Sequence, residues 1–501
     1  MPDPLLSAKR LYLTHLATGG LFMKQKKIRP FGMRDKLGYL FGDFGNDFTF
    51  ILSTSILMKF YTDVMGVSAG IVGIIMMIAR FADAVTDVTM GRICDAAKPT
   101  AAGKFKPWLL RMCIPVAAAS FLMYAPGLSP ELVSRWSDTT RIAYLAITYI
   151  LWGSFCYTGV NIPYGSMASA ISADPGDRAS LSTFRTMGGM LAGMFIGIGL
   201  PLVAYDEVAS VTGETLSVIN GNKVAISAAV FSVLAIICYL LSYRLITERV
   251  PYKAEKQKKV SVSVMIRSAA TNRALLSIIF ASVFMLLAQL TMQNMSAYIF
   301  PDYYGNAAGQ TLSSLTMMGS MLIASVAAKP LSNRFGKAEV SAVSSLFAVV
   351  VCIITWLLRP SSMWGFIALQ SLIWLGLGVF SMICWALITD VIDDAELKNG
   401  IREDGSVYAL YSFARKLGQA FAAGLSGWLL EAIHYNEKAL EQGISQTQSV
   451  KDGIFNITTL VPALGFAALA LVLWFWYPLH KKRVDSNAAA IKRKHDAEKD
   501  R

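Results

Sequence analysis

The chain has 501 residues, 54% hydrophobic and only 16% charged, where soluble domains carry about 25% charged residues. With a mean hydropathy of +0.48, no soluble fold could bury so much apolar side chain, because surface-to-volume scaling limits the size of one core. The net charge of +13 would suggest nucleic acid in a soluble protein. In a chain solvated largely by lipid its placement matters more than its sum, and no nucleic-acid partner is expected.

Residues 1–36 read as a cytoplasmic N-terminal segment. LYLTHLATGGLF is too short and too polar to span, and no small-residue cleavage site follows it. Met23 opens MKQKKIRPFGM, an alternative start, so residues 1–22 are read as an upstream extension. About 20 apolar residues cross about 30 Å of hydrocarbon. Such stretches occur near 37–60, 68–91, 108–127, 141–165, 184–204 and 224–246, then near 274–296, 311–328, 340–358, 364–388, 407–432 and 455–477. The expectation is an all-α polytopic membrane protein of twelve transmembrane helices. Its parts are an N-terminal six-helix half (37–246), a cytoplasmic linker (247–273), a C-terminal six-helix half (274–477) and a basic cytoplasmic tail (478–501).

Lysines and arginines concentrate in alternate loops: around Lys24–Arg34, Lys98–Lys106, Arg249–Lys259, Arg334–Lys337, Lys398–Arg402 and Lys481–Arg483. By the positive-inside bias both termini and the linker are cytoplasmic, which requires an even number of spans. The cysteines stand singly within apolar runs, with no CxxC or Cys/His cluster, and read as buried free thiols.

A charge at mid-membrane costs about 2.5–3.5 kcal/mol on insertion scales, so each one needs a reason. In ARFADAVTDVTMG, spacings of three and four put Arg80, Asp83 and Asp87 on one helical face. Two readings stand. An Arg–Asp pair accounts for Arg80 and one carboxylate; two carboxylates a turn apart repel and favour a bound proton or cation. Asp47 in the first span either pairs with a distant cation or accepts two hydrogen bonds from vicinal sugar hydroxyls. Asp43 is expected nearer the cytoplasmic end and solvated. Thr158 and Asn161 share a face of the fourth span, with Pro163 just beyond.

Arg185 opens the fifth span, STFRTMGGMLAG, whose small residues permit close helix packing. Arg415 and Lys416 are about 100° apart on the eleventh, so at most one should face a central cavity. Asp390, Asp393, Asp394 and Glu396 end the tenth span. They read as solvated or paired with Arg402 and the basic loops, or, for Asp390, Asp394 and Arg402, as a cytoplasmic gate. Trp152, Trp374 and Trp385 read as packing residues rather than sugar-stacking ones.

The motifs KLGYLFGDFGNDF, KFYTDVMG, Arg80-x-x-Asp83-x-x-x-Asp87, GKFKPW, NIPYGSM and DxxDDAELKxGIREDGSVYALYSFARK, in that spacing, resemble the glycoside–pentoside–hexuronide:cation symporter family from Lys36 to about Trp476. Gly91-x-x-x-Asp95 is similar to a signature of the major facilitator superfamily, and the matching loops GKFKPW and NRFGK suit its parallel repeats. The resemblance implies the major facilitator fold and alternating access around a central site. It implies Asp83, Asp87 and Thr158 as the ligands of a transported H⁺ or Na⁺, with Arg80 as charge partner. It implies Asp47, Asn161, Arg185 and Lys416 at the sugar.

Three departures from the family's best-known pattern stand out. Thr86 replaces an asparagine within the cation motif, Asn161 replaces an aspartate between the two sites, and Gly165 replaces a sugar-stacking tryptophan. A lost carboxylate weakens the case for sodium, a lost indole enlarges the pocket, and Arg185 with Lys416 would leave the sugar side positive. The expected function is therefore cation-coupled import of a glycoside or uronide, leaning to a hexuronide or acidic oligosaccharide, by a monomer in the bacterial inner membrane. No enzymatic activity and no cofactor are expected. A primary pump is disfavoured because no GxxxxGK[ST] phosphate loop is present. A channel, an uncoupled carrier, a sensor on the same fold and a symporter of neutral glycosides remain as rivals.

Overall fold

The computed structural model describes residues 29–210, 215–250, 272–399, 404–439 and 444–499. Each apolar stretch coincides with a helix. Before the linker these are α1 (Met33–Lys59), α2 (Ala69–Ala96), α3 (Lys106–Leu122), the short α4 (Pro130–Ser134), α5 (Asp138–Ile150), α6 (Thr158–Ile171), α7 (Pro175–Ala204) and α8 (Gly221–Leu245). After it come α9 (Arg273–Tyr298), α10 (Ala308–Phe335), α11 (Lys337–Leu358), α12 (Met363–Asn399), α13 (Asp404–Ala432), α14 (Gln448–Leu471) and α15 (Lys481–Lys499). A widened π-type turn, Leu151–Tyr157, joins α5 to α6 within one span.

Among the described residues, nine helical stretches are long and apolar enough to cross a membrane. The helices α1, α3 and α13 are not among them. α3 has 17 residues, while α1 and α13 interrupt their apolar runs with Asp43, Asn46 and Asp47 and with Arg415, Lys416 and Gln419. The polar residues that weaken their hydropathy are the ones that make them interesting.

The bundle is all-α, as expected, apart from one short hairpin. Residues 205–219 contain an antiparallel hairpin, β1 (Tyr205–Ala209) and β2 (Thr215–Ile219), with Tyr205 opposite Ile219. Its strands have 5 residues each, far short of the 9–11 that a membrane strand needs. An apolar scan misses such a short hairpin. The hairpin marks one end of the bundle; the residues flanking the linker mark the other.

At the linker end, two carboxylates organise the backbone. Asp35 is fully buried and accepts from Arg29 and Arg249, both at 2.8 Å, and from the Thr247 and Gly32 amides. It thereby ties the start of α1 to the end of α8. Glu248 accepts the amides of Lys104, Phe105 and Lys106 at 2.6–2.9 Å, satisfying the unpaired donors and the positive dipole end of α3.

The interior has two apolar cores. One lies among helices after the linker. The other fills the helices before it and reaches Met295, Phe300, Phe366, Leu430 and Phe455, so it crosses between the two sets. On α2 the residues Ile74, Ile78, Phe81, Val85 and Val88 form an exposed apolar stripe at the spacing of an amphipathic helix. Its opposite face carries Arg80, Asp83 and Asp87 inward and packs along α13. All six cysteines are buried and free, as expected.

Candidate functional site

A cavity of about 190 Å³ lies between α2, α6 and α13, walled by Arg80, Asp83, Asp87, Thr158, Asn161, Arg415 and Lys416 with Phe50, Tyr157, Ser412 and Gln419. Six of the residues singled out by sequence (Arg80, Asp83, Asp87, Thr158, Asn161 and Lys416) thus meet in one place. Arg80 is buried, donates to Asp83 at 3.3 Å, and sits over the rings of Phe50 and Tyr149. The second oxygen of Asp83 accepts Ser154 Oγ at 2.6 Å. Asp87 accepts Thr158 Oγ1 at 2.9 Å and is ion-paired with Lys416. Each carboxylate therefore has one hydroxyl and one cationic side chain. The Arg–Asp pair of the first reading is present, and Asp87, the carboxylate it leaves over, is paired with Lys416.

The π-type turn serves this cluster. It presents Ser154 to Asp83, and its Gly153 carbonyl accepts the Thr158 N–H and lies 3.2 Å from Thr158 Oγ1, an alternative acceptor to Asp87 for that hydroxyl. Such turns occur disproportionately at functional sites. Ser154 was missed, although a hydroxyl one turn before Thr158 was a readable signal.

Asp47 and Arg185 are not in the walls of this cavity. They form a second polar group beside it, with Asp43. Arg185 Nε donates to Asp43 Oδ1 at 2.9 Å. Asp43 is only 7% exposed, so the expectation that it is solvated fails: α7 crosses directly over it. The approach depends on Gly188 and Gly189. A Cβ at Gly188 would stand 2.4 Å from the Leu40 carbonyl, and one at Gly189 2.5 Å from Asp47 Oδ2. The small residues of α7 do permit the close packing foreseen for them.

Asp47 is half-buried and takes no hydrogen bond or ion pair among the described residues. A Cβ at Gly165 would meet nothing nearer than Arg185 Nη1 at 3.9 Å, so space stands open before Arg185 where an indole would fill it. Phe50, one turn beyond Asp47, stacks on Tyr157 and joins this group to the cavity.

The positive sugar side expected from Arg185 and Lys416 is corrected by these pairs. Both cations are compensated, Arg185 by Asp43 and Lys416 by Asp87. The rule that only one of Arg415 and Lys416 faces the cavity also fails; long side chains swing far enough for both to line it.

The acidic end of α12 lies elsewhere. Asp390 accepts Lys337 at 2.6 Å; Asp394 accepts Lys398, Arg483 and Asn487. These partners all come from after the linker. Arg402, the third gate candidate, lies outside the described residues. Trp152 and Trp374 are buried in the core, and Trp385 is 44% exposed and lies edge-on to Tyr411.

At the hairpin end a third polar cluster joins the two sets of helices. Lys59, in α1, is fully buried and ion-paired with Asp63 at 2.8 Å and Asp302 at 2.5 Å. The Tyr435 hydroxyl lies within 3.1 Å of both carboxylates. Sequence reading quoted KFYTDVMG without giving Lys59 and Asp63 a role. Ser217 of the hairpin donates to the Gly305 carbonyl, Ala69 N–H to Glu437, and Thr311 to the Ile198 carbonyl. These hydrogen bonds join the two sets at this end, and mid-bundle the Asp87–Lys416 ion pair joins them again.

Residues 38–481 match the model of a family described as MFS/sugar transport protein. The chain is 30% identical over 449 residues to the uncharacterised symporter YjmB of Bacillus subtilis, covering 89% of this chain and 92% of that one. It is 28% identical over 454 residues to the glucuronide carrier protein homolog of Escherichia coli, covering 90% and 93%. Among solved structures, the D-xylose–proton symporter superposes with a TM-score of 0.59 at 15% identity, covering 89% of this chain and 97% of that one.

Proposed function

Because the chain belongs to the MFS/sugar transport protein family, we propose that it is a cation-coupled symporter importing an acidic sugar, a hexuronide or acidic oligosaccharide. It is a sugar transporter rather than an enzyme, and a multi-pass protein of the bacterial inner membrane. The proposed topology is twelve spans in two six-helix halves, with both termini and the linker cytoplasmic. On that orientation the hairpin end faces outward and is sealed, and the linker end is the one that opens.

The observation that carries the reading is the shared cavity: the carboxylates of α2 and the hydroxyl of α6 face the cations of α13 across it. The coupling ion, H⁺ or Na⁺, is assigned to Asp83, Asp87 and Thr158. There it competes with Lys416, whose ammonium neutralises Asp87. Released, Lys416 is available to the sugar, alongside Asn161. Asp47, which takes no donor among the described residues, is assigned to sugar hydroxyls, and Arg185 to the same ligand. Similarity to a glucuronide carrier homolog supports the acidic substrate. A neutral glycoside is the second reading, favoured by the Arg185–Asp43 pair, which leaves that side without net positive charge.

Uptake into proteoliposomes of a matched acidic and neutral sugar, with and without Na⁺ at two pH values, tests the whole reading. Accumulation above equilibrium, driven by one cation gradient and greater for the acidic sugar, is expected. Mere equilibration would reduce the protein to an uncoupled carrier.

A further inference from the structure

Besides Arg415, two cationic side chains wall the cavity: Arg80 is spent on Asp83 and Lys416 on Asp87, while the nearby Arg185, outside its walls, is spent on Asp43. Arg415 is different. Among the described residues its polar contact is one hydrogen bond to the Tyr411 hydroxyl at 3.3 Å, and its guanidinium lies 5.8 Å from the ring centres of Trp385 and Tyr411. No carboxylate partners it among the described residues, and it is half-buried in the cavity wall.

A guanidinium held on aromatic faces keeps its outer donors in a fixed planar fork, matched to a carboxylate or sulfonate. Leaving such a cation uncompensated next to Asn161 and Gln419, inside a membrane bundle, costs energy unless a ligand supplies the anion.

We propose that Arg415 is the residue that binds the anionic group of the substrate and sets the preference for acidic over neutral sugars. This deepens the acidic-sugar reading and rests on it. The sugar ring then lies towards Asp47 and Asn161, and its charge points to α13. Arg415 contributes selectivity, whereas Lys416, one residue on, answers to the cation site. The uronate and the sulfonate share the required chemistry.

The test measures half-saturation concentrations for methyl glucuronide, methyl 6-sulfoquinovoside and methyl glucoside in proteoliposomes, with binding in detergent as a second readout. In the native protein one of the two acidic ligands should be preferred over the neutral one, which identifies the anion. Arg415→Gln should reduce that acidic-to-neutral preference about 10- to 100-fold, the worth of a charged hydrogen-bonding pair. Arg415→Lys, which keeps the charge without the fork, should fall between and serves if the glutamine variant does not reach the membrane. A native protein that prefers methyl glucoside would overturn the acidic-sugar reading and this assignment together. A native preference for an acid that neither variant alters would overturn the assignment alone, as would an equal loss for all three ligands.

Discussion

Two buried charge clusters in this bundle use the same side-chain chemistry with very different free space beside them. At the hairpin end Lys59, Asp63, Asp302 and Tyr435 enclose one another, with about 20 Å³ of free space beside them. Mid-bundle, Arg80, Asp83, Asp87, Thr158 and Lys416 wall about 190 Å³. A buried pair with room for little more than one water cannot exchange its partners cheaply, and removing one partner strands a charge. A pair facing a cavity can surrender a partner to an incoming ion or ligand. The first cluster is built to hold helices together and the second to let go.

That contrast is most severely tested at Lys59. Lys59→Met leaves two carboxylates sealed without a cation and should cost about 3–5 kcal/mol, read as a lower melting temperature in detergent. Lys59→Met combined with Asp302→Asn should regain part of that loss. If Lys59→Met melts like the native protein, the sealed cluster is not structural.

Asp87→Asn should do the opposite. It should abolish cation-driven accumulation while lowering the melting temperature far less than Lys59→Met, since cavity water can solvate the released Lys416. Equal thermal losses for the two variants would erase the distinction between the clusters.

A smaller effect is expected between the two groups of the site. Asp43→Asn releases Arg185, and affinity for an acidic sugar should rise about fivefold, the scale of a partly exposed ion pair. A fall would mean that the Arg185–Asp43 pair itself forms the binding surface.

The smallest effect lies outside the membrane. Hydrogen bonds from Lys223 and Asn220 hold the Asp206 carboxyl on the hairpin below its ordinary range. Its stabilisation is therefore complete above the unfolded carboxylate pKa of about 4 and is lost as the pH falls through the lower folded value. Asp206 is half-exposed, so screening leaves little of it. Asp206→Asn should lower the melting temperature slightly at pH 7 and not at pH 2–3.

Much of this was legible in the sequence because lipid imposes simple rules. Apolar length located the helices, and the price of a charge in the membrane singled out Arg80, Asp83 and Asp87. What stayed hidden depends on contact between distant segments. Asp43 looks solvated along its own helix and becomes buried only because Gly188 and Gly189 bring α7 over it. Ser154 is obscured by a widened turn. Lys59 and Asp63 look like an interfacial pair until Asp302 and Tyr435, more than 200 residues away, close over them. Arg415 stays hidden because the ideal-helix rule admits one of the 415–416 pair and the family resemblance gives that place to Lys416, whereas long side chains let both line the cavity.

The central claim is that one cavity couples cation and sugar. Titration of the purified protein with its sugar, with and without the coupling cation, tests it most directly. Thermodynamic linkage requires the cation to tighten sugar binding by the same factor as the sugar tightens cation binding. The account predicts equal factors of about 5–150, collapsing to one in Asp87→Asn. Sugar affinity independent of every cation in the native protein, or unchanged coupling in Asp87→Asn, would contradict it.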